Sequence, residues 1–154
     1  MHSNDSNLHS IVCLAHRVEG MANKYIFLPM GLSSTSVKIL GMLSHHAFLT
    51  PSQIIEMSSS TKSNISQRLS FLEKEGLIAR DYASDRRDKR KVKVTLTSKG
   101  KEKMKEIQKV MHKAKLSVEK EFSEKEMTAH KAFIKKLNGV LDNSESKLTK
   151  LFKL

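Results

Sequence analysis

Residues 61–97 read TKSNISQRLSFLEKEGLIARDYASDRRDKRKVKVTLT, and this stretch decides the fold. Thr61 is a helix N-cap residue: its hydroxyl can accept from a free N–H of the first turn. Ile65, Leu69 and Leu72 then recur at helical spacing, so one stripe of the helix is apolar. Gly76 stands where a helix needs a left-handed residue to stop. Beyond it the period falls from 3.6 to 2. Ile78, Arg80 and Tyr82 alternate, a charged turn covers residues 84–90, and Val92, Val94 and Leu96 alternate with Lys91, Lys93 and Thr95. Two alternating runs about a polar loop predict a β-hairpin. Thr97 caps the helix after it.

Working outward, the chain is helical on both sides. Upstream, Thr50 is a cap, Pro51 takes the first helical position and Gln53 completes a capping box. That helix is short, because Ser58, Ser59 and Ser60 break it. Another helix is expected over residues 34–45. Before it, Leu8, Ile11, Leu14, Ala15, Val18, Met21, Ala22 and Tyr25 predict a helix over residues 8–28, ended by Pro29 and Gly31. Downstream, Met104, Ile107, Met111, Ala114 and Val118 recur at steps of 3, 4, 3 and 4. That is a coiled-coil seam, suited to packing on another helix. Ser123 and Glu126 form a further capping box. The last helix is expected to end near Leu141, followed by a polar tail from Asn143 that closes on Leu148, Leu151, Phe152 and Leu154. Short helix, serine turn, helix, Gly and hairpin make a winged helix-turn-helix. The fold class is mainly α with a small β-hairpin wing, joined to a helical dimerisation region. The expected division is an N-terminal helix over 1–32, a winged domain over 33–97 and C-terminal dimerisation helices over 98–154.

The charge distribution narrows the function. The 154 residues carry 28 Lys and Arg against 16 Asp and Glu, a net charge of +12. Residues 1–60 are neutral, whereas residues 61–113 hold 16 basic and 7 acidic groups. A positive field of that density points to a polyanion, either nucleic acid or an acidic membrane surface. A membrane-surface helix would need large apolar anchors, and the Lys-rich helix after Thr97 has only a narrow stripe. No apolar run is long enough to span a bilayer, and the polar first residues do not read as a signal peptide. One cysteine, Cys13, excludes an internal disulfide and a cysteine zinc finger, and fits a cytoplasmic location.

The candidate reading surface follows from helical geometry. Ser63, Gln67, Ser70 and Lys74 point away from the apolar stripe, with Asn64 and Ser66 beside them. Gln and Asn can bond adenine bidentately, and Ser can bond a base or a phosphate. Thr61 and Lys62, at the helix N-terminus, suit a phosphate. The hairpin adds seven basic residues in the fourteen from Arg80 to Lys93. Of these, Arg86, Arg87, Lys89 and Arg90, with Asp85, form the candidate wing tip. Arginine at a loop tip suits the narrow, negative minor groove of duplex DNA. A non-specific architectural protein is the alternative, although such proteins carry apolar wedges and this tip has none.

Here the chain resembles the MarR-type transcriptional regulators. Their LExxGLIxR, DxRDxR and LTxxG patterns stand as LEKEGLIAR (72–80), DRRDKR (85–90) and LTSKG (96–100). The resemblance implies a homodimer built from the first and the last two helices. Ile11, Leu137 and Leu141 would join the seam residues Met104, Ile107, Met111, Ala114 and Val118 at its interface. It implies a repressor on a pseudo-palindromic operator in double-stranded DNA. It implies minor-groove insertion by Arg87, oriented by Asp85. It also implies release by a small-molecule effector, a phenolic or other aromatic ligand. Where much of the family has arginine, this chain has Gln67, so its operator preference should differ.

A sensing alternative rests on His9, Cys13 and His16, which fall on one polar face of the first helix. A protonated histidine would lower the thiol pKa, and the trio could ligate a metal. The peroxide-sensing relatives support their cysteine with tyrosines of the second helix. Ser33, Ser34, Thr35 and Ser36 stand there instead. The expectation is no metal and no cofactor. No Ser-His-Asp order, phosphate loop, HExxH or paired carboxylates appear, so no catalytic residues are assigned.

Overall fold

The computed structural model describes residues 7–58, 60–82 and 92–152, with side chains at 9–58, 60–82 and 92–144. Six α-helices and a two-stranded antiparallel sheet are seen among them: α1 (Asn7–Ala22), α2 (Ser34–Ser44), α3 (Pro51–Ser58), α4 (Lys62–Lys74), β1 (Ile78–Asp81), β2 (Lys93–Leu96), α5 (Ser98–Glu119) and α6 (Glu124–Phe152). The helix starts are set by side chains. Thr61 accepts from the Asn64 N–H, and Thr50 Oγ1 accepts from the Gln53 N–H while Gln53 Oε1 accepts from the Thr50 N–H at 2.8 Å. Ser123 and Glu126 make the same reciprocal pair. That bonding holds the exposed Glu126 carboxyl below its ordinary pKa.

Two helix limits differ from expectation. The first helix is α only to Ala22. Residues Asn23–Phe27 then form a π-helical segment in which the Leu28 N–H bonds the Asn23 carbonyl. The Asn23 side chain is used elsewhere, accepting from both the N–H and the hydroxyl of Ser34 at the start of α2. The last helix runs past Leu141 to Phe152. No Pro or Gly interrupts residues 142–152, and the apolar spacing of Leu137 and Leu141 continues through Leu148. Ser144 stays within the helix, donating to the Val140 carbonyl at 2.7 Å.

By internal contacts the chain divides into two units, 1–111 and 112–154, with α5 running through the boundary. In the first unit the core gathers Ile39, Leu40 and Leu43 of α2, Ile54 of α3, Ile65, Leu69 and Leu72 of α4, Ile78, Val94 and Ile107. The stripe on α4 is therefore the buried one. Ile78 pairs with Leu96 and Asp81 with Lys93 across the hairpin. Leu49 adds a single bridge to the far edge of β2, bonding Val94 in both directions. A single residue carries no period, so such a bridge leaves no pattern in the sequence.

The motifs 72–80 and 96–100 lock together. Thr97 Oγ1 donates to the Gly76 carbonyl at 2.7 Å and accepts from the Gly100 N–H at 3.0 Å. Lys99 Nζ donates to the Glu75 carbonyl at the end of α4. Gly76 has φ 69°, which only glycine adopts without strain. A Cβ on Gly100 would fall on the Leu77 carbonyl oxygen. The end of α4, the start of β1 and the start of α5 are thus one joint. Thr97→Val keeps the shape and loses both bonds, so it should cost about 1–2 kcal/mol. A melting curve unchanged by that substitution would show that the joint holds without the hydroxyl.

The seam expected along α5 is divided. Ile107 is 1% exposed in the core of its own chain, and Met104 packs against that core. Ile107 has no free face for a partner, because the first half of α5 closes the winged core, whereas Met104 is half-buried. Met111 and Val118 remain exposed, and Ala114 is half-buried. On the first helical stretch Val12, Leu14, Val18, Met21 and Tyr25 are each more than half exposed. In the second unit Phe133, Val140 and Leu141 are exposed, and Met127, Ile134 and Leu137 half-buried.

Candidate nucleic-acid interface

With its stripe buried, α4 turns the opposite face outward. Thr61, Lys62, Ser63, Asn64, Ser66, Gln67, Ser70 and Lys74 are all exposed. Every residue named for reading bases or holding phosphate on this helix is thus free to reach a groove. Donors and acceptors of short or medium reach dominate, as direct readout requires. α3 packs on α4 from the N-terminal side, giving the two-helix arrangement that docks a second helix in the major groove.

Two arginines add to this surface. Arg80 reaches from β1 to α4, donating from Nη2 to Ser70 Oγ at 3.1 Å. Its Nε lies 3.3 Å from Glu73 Oε2, an ion pair without hydrogen-bond alignment. Glu73 is partly exposed, so solvent limits what that pair contributes. Its geometric effect is to tie the root of the hairpin to α4, and Ser70 retains its own proton to donate. Arg68 is half-buried, with Nε enclosed and unpartnered among the described residues. It adjoins Leu69 on the stripe side of α4, where helical spacing alone gives no sign of a surface role. At the other edge of the hairpin, Lys93 Nζ stands 4.8 Å over the Phe48 ring. The wing residues Asp85, Arg86, Arg87, Lys89 and Arg90 lie outside the described residues.

The sensing trio is only partly drawn together. Cys13 is exposed, with Sγ 3.5 Å from His9 Nε2 one helical turn away. His16 does not complete a metal group, and among the described residues no cluster of three or more His, Cys, Asp or Glu could hold a metal ion. Nearby, Lys38 of α2 pairs with Glu19 of α1 at 2.6 Å and holds that carboxyl below its ordinary pKa. No described helix is long and apolar enough to cross a membrane.

An exposed polar second helix followed by an antiparallel hairpin with basic residues defines a winged helix. The winged helix DNA-binding domain profile matches residues 36–114, and the chain belongs to that family. Among solved structures, apo MarR from E. coli superposes with a TM-score of 0.74 at 20% identity, covering 86% of this chain and 96% of its own. MepR of S. aureus in its complex with DNA gives 0.67 at 21% identity, covering 91% and 99%. A MarR family transcriptional regulator from Silicibacter pomeroyi gives 0.72 at 23% identity, covering 92% and 90%. The fold is thus that of the MarR-type proteins over nearly the whole chain. A search of curated protein sequences gives no match.

Proposed function

We propose that the protein is a sequence-specific transcriptional repressor of MarR type that binds a pseudo-palindromic operator as a homodimer and is released by a small effector. The observation that carries this reading is the outward face of α4, where Ser63, Asn64, Gln67 and Ser70 are all exposed beside a basic hairpin. Direct contacts to base edges would come from this face, and Arg86, Arg87, Lys89 and Arg90 of the wing would follow the minor groove. The DNA complex of MepR, a protein of the same fold, supports DNA as the partner. Two copies would be joined through apolar residues that one chain leaves exposed, including Val12, Val18 and Leu141. More than half of each of these side chains faces water, and large apolar side chains left exposed in number mark interaction surfaces.

Two measurements test the reading. Light scattering at micromolar concentration should return about twice the 17.5 kDa of one chain; a mass of one chain would contradict the dimer. A titration of labelled operator against salt should show log affinity falling steeply and linearly with log salt. Genomic fragments bound no better than random DNA at about 100 mM salt would leave only the architectural alternative. Arg87→Ala should weaken all operators alike, since a minor-groove contact reads little sequence; unchanged affinity would remove the wing from the interface.

A further inference from the structure

We propose that a recess between the end of α2, the end of β2 and the first half of α5 binds a small organic anion with a doubly charged head, of the phosphate monoester class. The cavity holds about 560 Å³, within the usual range for small-molecule sites. Its floor is apolar, formed by Leu43, Ala47, Leu96 and Met104. Its polar lining is rich in nitrogen donors: His45, His46, Lys101 and Lys105. No acidic residue lines it.

The absence of a counter-charge distinguishes this recess from the one on the other side of α5. A second recess, beside Leu77 and Met30, holds Lys99 and Lys103 but also Glu75, Glu102 and Glu106. There Lys103 pairs with Glu106 at 2.9 Å and Lys99 donates to the Glu75 carbonyl. Its charge is internally satisfied. The side chains of Lys101 and Lys105 make no ion pair or hydrogen bond with any described residue, and they stand one helical turn apart on α5. Like charges at i and i+4 of a helix disfavour each other, and an anion between them removes that cost. A monocarboxylate brings one charge and two oxygens. A phosphate monoester brings nearly two charges and three acceptor oxygens, a better match to two lysines and two imidazoles. Its organic group would lie on Leu96 and Met104.

The site also touches the parts that carry the hairpin. Leu96 ends β2, and Ala47 lies two residues before Leu49, which bridges Val94. Ligand binding itself is independent of the proposed regulatory function, so it is measured on the full chain without DNA. Calorimetric titration with phenyl phosphate should give one saturable site per chain. Its affinity should exceed that of benzoate, and that of inorganic phosphate, by about tenfold or more. Lys101→Gln with Lys105→Gln should weaken it by at least about tenfold at an unchanged melting temperature, since both side chains are exposed. Gln108→Glu, which puts an acid into the lining, should weaken it independently. Non-saturable heats, benzoate binding as tightly as phenyl phosphate, or variants that bind as the parent does would each overturn the proposal.

Discussion

Gly100→Ala is expected to destabilise the first unit by about 3 kcal/mol or more, and to lower its melting temperature by about 10 °C. The reason is backbone against backbone. The added methyl would fall on the Leu77 carbonyl oxygen and would also stand 3.0 Å from Leu96 Cδ2. A carbonyl that already accepts from the Thr97 N–H cannot move without breaking the joint between α4, β1 and α5. Gly20→Ala in α1 is the control, because nothing lies within 4 Å of a Cβ there. It should leave stability unchanged or raise it by up to about 1 kcal/mol, the helix propensity difference. Equal melting curves for the two variants would show that α5 does not press on Leu77 in solution.

Gln67→Ala should cost about 1–3 kcal/mol of operator affinity, or about 5- to 150-fold, and the loss should fall on one base step in each half-site. Gln67 is exposed near the middle of α4, and its amide is the longest hydrogen-bonding group on that outward face apart from the lysines. Where the MarR-type pattern often places arginine, an amide would read adenine rather than guanine. Lys62→Ala should behave differently, weakening all sequences alike and flattening the salt dependence by about one charge. If Gln67→Ala also weakened every sequence equally, the residue would be a general contact and not a reader.

Much of the first unit was legible in the sequence because local signals and burial agree there. The caps Thr50, Thr61 and Thr97, the stop at Gly76 and the stripe of Ile65, Leu69 and Leu72 each have a local physical cause, and tertiary packing reinforces each one. That Ser63, Gln67, Ser70 and Lys74 of α4 are exposed follows from the same stripe by geometry alone. Two kinds of feature were not legible. Periodicity shows that an α5 residue is apolar but not which neighbour covers it. Ile107 therefore read as a partner-facing residue, while the core of its own chain encloses it. Contacts far apart in sequence also leave no local trace. The Leu49 bridge to Val94, the reach of Arg80 to Ser70 and the fit of Gly100 against Leu77 are of this kind. The end of α6 was misplaced for a third reason. Polar residues from Asn143 to Lys147 read as a tail, yet none of them breaks a helix, and propensity alone is a weak guide.

The most direct test is selection of bound duplexes from a random oligonucleotide pool by the purified full-length protein, sequenced and repeated with Gln67→Ala. The account predicts an enriched palindrome whose half-sites are about one helical turn apart, with the variant relaxing preference at one symmetric pair of positions. No enriched sequence, or an enriched motif that Gln67→Ala leaves unchanged at every position, would contradict the claim that the outward face of α4 reads the operator.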